Sequence, residues 1–206
     1  MGNYLRMVIV LSVITLFSGL ALGGLNELTY ERAQNNILKF KKIPAVATIY
    51  EVIEGKLTTE KRSLLEEELL SEKKFVDVGE EEPVLMFVIK KENKPYAVTF
   101  ERFGQGFGGA LGVMVGYELD SGKLVGIGIT TLAETPGVGT RVTETGFTQQ
   151  FQRMPANAIF KVKKDGGHID AIAGATVSSR AVATAVAAAK TFYNQHQDTI
   201  ATALNR

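Results

Sequence analysis

Asp170-Ala171-Ile172-Ala173-Gly174-Ala175-Thr176-Val177-Ser178-Ser179 sets a threonine hydroxyl after Gly-Ala and just ahead of an alanine-rich run. That run reads as a helix from about Val177 to Gln195. Val182, Ala185, Val186, Ala189, Phe192 and Tyr193 recur at spacings of three and four, which gives one apolar face to pack on a sheet. A helix start offers backbone N–H groups without partners and the positive end of the helix dipole, so it suits a phosphate. Gly174 and Ala175 leave room for a bulky phosphate ester. Ser178 and Ser179 can add hydroxyl donors. Taken alone, the ten residues also suit a plain loop and helix cap.

A second stretch, Thr131-Leu132-Ala133-Glu134-Thr135-Pro136-Gly137-Val138-Gly139, centres on a Pro-Gly pair. Pro136 and Gly137 fit the two central positions of a type II turn. Gly139 lets backbone approach a flat ligand closely. Glu134 can accept hydrogen bonds from backbone or from a ligand edge. Phe147-Thr148-Gln149-Gln150-Phe151 lies between the two stretches.

In order and spacing these segments resemble the FMN-binding subunits of two bacterial ion-pumping redox complexes. These are the G subunit of the Rnf complex and the C subunit of the sodium-pumping NADH:quinone reductase. The first stretch is similar to their Asp-x-x-Ser/Thr-Gly-Ala-Thr motif and the second to their Glu-Thr-Pro-Gly-Leu-Gly signature. The resemblance covers roughly residues 100 to 190. It implies FMN joined by a phosphoester to Thr176. Gly174, Ala175, Val177, Ser178 and Ser179 would surround the phosphate, and Glu134, Thr135, Pro136, Gly137, Val138 and Gly139 would face the flavin, with Glu134 and Thr135 tuning it. Asp170, six residues before Thr176, would be read by a separate flavin transferase that uses FAD and magnesium. Ala173 departs from the family, which usually has Ser or Thr there. Gly108 stands where the family has Trp or another large residue.

Composition narrows the chemistry. The chain of 206 residues has 23 basic and 22 acidic side chains, a net charge of +1 and no cysteine. Such balance argues against a nucleic-acid partner. Without cysteine there is no disulfide, thiol nucleophile or cysteine-held iron–sulfur cluster. The two histidines, His168 and His196, are isolated, so no metal site is expected. Electron transfer would then need an organic cofactor. No catalytic residue is singled out.

Met7 to Leu25 is free of charge. Its nineteen residues make about 28 Å of helix, close to the roughly 30 Å hydrocarbon core. Arg6 flanks one end and Glu27 and Glu31 the other, which puts the N-terminus in the cytoplasm and the bulk outside. An uncleaved single span in the inner membrane is expected, over a signal peptide cut near Ala21-Leu22-Gly23.

Downstream, Glu27 to Lys42 reads as a polar helix ended by Ile43-Pro44. Val46 to Ile53 suits a strand, and Glu60 to Lys74 a second helix. Residues 60–82 hold nine acids and four bases, a solvated face or a docking surface. Strands follow at Pro83–Ile89, Tyr96–Phe100, Ala110–Leu119 and Lys123–Thr131, the last two joined at Asp120-Ser121-Gly122. Gly104-Gln105-Gly106-Phe107-Gly108-Gly109 matches Gly-x-Gly-x-x-Gly, but a strand follows it, so it reads as a glycine loop near the ligand and not as a dinucleotide fold. A short helix is expected at Gly146–Met154, and strands at Ile159–Lys163 and Ile169–Ala173.

The expected architecture is α+β. A transmembrane anchor (1–26) leads to an extracytoplasmic N-terminal region (27–95) and an FMN-binding domain (96–206) with a largely antiparallel sheet packed by helices. The resemblance implies an electron-relay subunit of a ferredoxin:NAD oxidoreductase, partnered by integral membrane and redox subunits and not catalytically complete alone. The alternatives are an anchored FMN-domain reductase acting by itself, the equivalent of the quinone reductase's C subunit, and a cofactor-free tethered binding module.

Overall fold

The computed structural model describes residues 2–155 and 157–204. The chain forms two compact units, Met1–Phe40 and Lys41–Arg206. The first is helix α1, Gly2–Ile37, in which no residue is buried. An apolar helix that buries nothing in its own protein suits a lipid surround. Among the described residues one helical stretch, Gly2–Glu54, is long and apolar enough to cross a membrane.

A π-helical turn, Leu38–Lys42, leads into α2, Ile43–Glu54. Two expectations fail here. Pro44 does not end a helix but sits in the first turn of α2, where its missing N–H costs nothing. Val46 to Ile53 is helix and not strand, because Ile43, Val46 and Ile49 are buried at spacings of three. Helix α3, Thr59–Ser71, follows, capped by the Thr58 hydroxyl, which accepts from the Lys61 N–H at 3.3 Å.

The sheet contains β1 (Lys74–Val76), β2 (Val84–Lys91), β3 (Lys94–Gln105), β4 (Ala110–Glu118) and β5 (Leu124–Thr131). Its spatial order is β1-β2-β3-β4-β5 with every pair antiparallel. The four strands expected between residues 83 and 131 are present, and β1 is an addition. Glu92 and Asn93, both at positive φ, make the tight turn between β2 and β3. Pro95, at the expected domain boundary, lies inside β3 and pairs with Lys90 of β2.

Helices cover both faces. On one lies α5, Thr176–Gln195, with all six residues of the expected apolar face buried. Phe192 packs on Phe100 at 4.8 Å between ring centres, and Tyr193 stacks on Tyr117 at 4.7 Å. Burial raises the Tyr117 phenol above its ordinary pKa. Each such large side chain contributes about 1.5–3 kcal/mol through area removed from water. On the other face α2 lies nearly on the sheet backbone. A Cβ on Gly128 would stand 2.4 Å from the Ala45 carbonyl oxygen, and one on Gly116 2.7 Å from Ile49 Cγ2.

Between β5 and α5 the chain is mostly irregular. A short helix, α4 (Thr145–Thr148), and a 3₁₀ turn, Gln149–Phe151, replace the single helix expected at 146–154. The two strands expected at 159–163 and 169–173 are absent; Val162 and Ile169 form one isolated parallel bridge. The reason is local, since the chain turns over Gly166 (φ 82°) and a Cβ on Gly167 would lie 2.0 Å from the Lys161 carbonyl oxygen. A last helix, α6 (Gln197–Leu204), follows α5.

Gly128→Val pushes a branched side chain against α2 backbone, so the full chain in detergent should lose about 1–3 kcal/mol in a denaturant titration. Gly146→Ala, with nothing within 4 Å of the new methyl, serves as the neutral control.

Candidate functional site

Three segments distant in sequence meet at the Glu134 carboxylate, which is 8% exposed. Its Oε1 accepts from the Phe107 backbone N–H at 2.8 Å, and its Oε2 accepts from Ser178 Oγ at 2.7 Å. The acid therefore joins the glycine loop, the Pro-Gly turn and the start of α5. Two glycines make room for it. A Cβ on Gly106 would lie 2.0 Å from Glu134 Oε1, and one on Gly139 2.5 Å from Oε2 and 2.9 Å from Ser178 Oγ. Gly139 thus serves an approach to Glu134, where the sequence suggested an approach to a flat ligand.

The turn has the expected form. Gly137 has φ 72°, and the Thr135 carbonyl accepts from Val138, Gly139 and Thr140 N–H groups at 3.2, 3.0 and 3.3 Å. Gly137 N–H donates to Thr140 Oγ1 at 2.9 Å. Thr135, Pro136, Gly137 and Val138 are exposed, and the Val138 side chain reaches towards Gly174. The glycine loop is the tip of the β3–β4 hairpin, closed by Gly106 N–H to the Gly109 carbonyl at 2.9 Å. That agrees with rejecting a dinucleotide fold. Gly108 has no room for a large residue, since its Cβ would meet the Ala133 carbonyl oxygen at 1.7 Å. The exposed aromatic on this loop is Phe107. It was visible in the sequence as the one large apolar residue among glycines.

At the start of α5, Thr176 is the first helical residue and half-buried. Among the described residues its hydroxyl takes no hydrogen bond, and neither do the backbone N–H groups of Thr176, Val177 and Ser178. Gly174 beside it has φ 82° and is exposed. The two serines behave otherwise than expected. Ser178 gives its proton to Glu134, while Ser179 donates to the Ala175 carbonyl at 2.9 Å and accepts from Ile172 N–H at 3.0 Å. Both are buried, so they build the cradle and are not free donors to a ligand.

Asp170 is exposed and paired with Lys163 Nζ at 2.7 Å. Gln150 binds its backbone in both directions. Arg180, on the first turns of α5, forks onto Asp165 at 2.6 and 2.8 Å and holds that carboxyl below its ordinary pKa. The resulting geometry is a helix start with three open N–H groups and an open hydroxyl, in a frame with short side chains. It fits a phosphate ester on Thr176. Among the described residues no cluster of His, Cys, Asp and Glu is arranged to hold a metal ion.

Glu134→Ala removes both charge-assisted bonds and should cost about 2–4 kcal/mol in a urea titration. Amide exchange should accelerate first at Phe107, whose N–H loses its acceptor. Unchanged exchange there would contradict the role of Glu134 as the joint.

Residues 106–191 match the FMN-binding domain family. The G subunit of the ion-translocating oxidoreductase complex of Cereibacter sphaeroides is 32% identical over 125 residues, 58% of this chain and 57% of that protein. The corresponding G subunit of Cronobacter sakazakii is 37% identical over 108 residues, 49% of this chain and 51% of its own length. The chain thus spans between half and three fifths of these relatives. The crystal structure of the C subunit of Na(+)-translocating NADH-quinone reductase from Parabacteroides distasonis shares the fold. Its TM-score is 0.60 at 19% identity, over 81% of this chain and 94% of that one. Residues 106–191 are therefore similar to FMN-binding domains, and the chain is similar over about three fifths of its length to the G subunit of ion-translocating oxidoreductase complexes.

Proposed function

We propose that this protein is the electron-relay subunit of an Rnf-type ferredoxin:NAD oxidoreductase, with FMN joined through its phosphate to Thr176. The observation that carries the reading is the Thr176 hydroxyl, unpartnered at the head of α5 beside three unpartnered N–H groups, inside the segment that matches FMN-binding domains. The two relatives named above are both G subunits, which favours the Rnf assignment over an equivalent of the quinone reductase's C subunit.

Attachment is a group transfer without a redox change. Thr176 Oγ would take the flavin-side phosphoryl group of FAD, with the bond to the adenylate breaking and AMP as the leaving group. The threonine proton would go to solvent or to a base of the transferase, whose magnesium would offset the phosphate charge. The N–H groups of residues 176–178 and the α5 dipole then stabilise the phosphodiester. Gly174 and Ala175 give it space. Phe107, Val138 and Val177 provide exposed apolar surface for the ring, and the Thr135–Val138 turn borders it. Glu134 acts through the loop and turn that it holds. Bound FMN supplies one- and two-electron chemistry. Outside the cytoplasm free flavin is scarce, and reversible occupancy depends on concentration relative to Kd, so a covalent link keeps the site loaded. Electrons enter from and leave to neighbouring membrane and redox subunits.

Thr176→Val should abolish flavin fluorescence on a denaturing gel while changing the melting temperature little. Peptide mapping that finds unmodified Thr176 in active native protein would overturn the assignment. The topology has its own test. Protease added to intact spheroplasts should digest the chain beyond Leu25 and spare the anchor, whereas mature protein beginning near Gly24 would mean a cleaved signal.

A further inference from the structure

The segment that leads to Thr176 begins on a side chain and not on a strand. Up to Ile169 it has backbone partners: Ile169 N–H donates to the Lys161 carbonyl at 3.1 Å, and Lys163 N–H donates to the Ile169 carbonyl at 2.8 Å. At Asp170 the ladder stops. There the Asp170 N–H donates to Gln150 Oε1 at 2.7 Å, and Gln150 Nε2 donates to the Asp170 carbonyl at 3.2 Å. One side-chain amide takes the place of both bonds that a neighbouring strand would make. Gln150 is itself well placed, because Phe147 and Phe151 on either side are buried and meet edge to face at 5.6 Å. Its neighbour Gln149 is exposed, and its side chain makes no hydrogen bond among the described residues.

Beyond Asp170 the path to the acceptor is pinned separately. Ile172 N–H is held by Ser179 Oγ at 3.0 Å, and Ala175 N–H donates to the Ile172 carbonyl at 2.9 Å. The helix start thus has its own supports, and Gln150 acts only on the Asp170 end. The Asp170 carboxylate is 65% exposed, and its partner Lys163 is 60% exposed.

We propose that Gln150 is a positioning residue for flavin attachment: by gripping the Asp170 backbone on both sides, it presents the Asp170 carboxylate to the flavin-transferring enzyme. The inference rests on Thr176 as the acceptor. It makes the chain's recognition by the transferase, and not the chemistry at Thr176, depend on Gln150.

The test uses the full chain in detergent, purified without flavin and incubated with a bacterial flavin transferase, FAD and magnesium. Initial rates of in-gel fluorescence are measured against chain concentration. Gln150→Ala should raise the KM for the chain about fivefold or more, the lower end of the scale for its two lost hydrogen bonds, with kcat changed less than about twofold. Gln150→Glu keeps the acceptor for the Asp170 N–H and should show an intermediate KM. Gln149→Ala should match the parent. If Gln150→Ala melts early, Gln150→Glu at the parental melting temperature carries the test. A parental KM in either Gln150 variant, or a loss confined to kcat, overturns the proposal. A Thr176→Val chain that still gains flavin overturns the acceptor reading itself, so the two failures are told apart.

Discussion

A single buried carboxylate sets the geometry of the site. Glu134 is held by a backbone N–H from the glycine loop and a hydroxyl from α5, and two glycines make room for it. A buried charge in this position is tolerated only because both oxygens are satisfied by strong donors. The cost of disturbing it makes it a joint. The loop cannot leave α5, and the turn cannot drift from either, without exposing an unpaired acceptor. The three signature segments thus describe one hydrogen-bonded unit and not three separate contacts with a ligand.

The joint is stiff because its supports are. On one side α5 buries a continuous apolar face against β3 and β4, and a Cβ on Gly104 would lie 2.0 Å from the Ala181 carbonyl oxygen. On the other side α2 presses on the glycines of β4 and β5. Lys42, just before α2, pairs with Glu101 at 2.8 Å, and Glu101 also accepts from the Thr130 hydroxyl. These contacts leave the sheet little room to flex beneath the site.

Local chemistry was legible in the sequence and long-range commitments were not. The Pro136-Gly137 turn, the start and face of α5 and four of the five strands follow from residue type and period over a few positions. Helix α2 was misread because Val46, Ile49, Val52 and Ile53 are β-branched, although the spacing of Ile43, Val46 and Ile49 carried the helical signal. Ser178 and Ser179 were read as ligand donors because nothing in a linear chain shows that their partners are Glu134, 44 residues away, and backbone of the same loop. Gln150 lay inside a recognised segment, but its link to Asp170 crosses 20 residues and needs a fold to be seen. The bridge at Val162 and Ile169 shows the reverse: strand-like residues do not make strands where glycines turn the chain too soon.

The order of the strands has a consequence for how the domain is made. Each strand pairs with the one synthesised just before it, so the sheet can assemble as a growing meander from short-range closures. The α2 face can be covered early, because α2 precedes every strand in the chain. The opposite face stays open until α5 arrives, about 45 residues after β5. Ser178 comes with it, so the Glu134 joint closes only then. As the chain emerges in order, the site is therefore the last part of the sheet's surroundings to mature, and a chain stalled before α5 has strands but neither Ser178 nor Thr176.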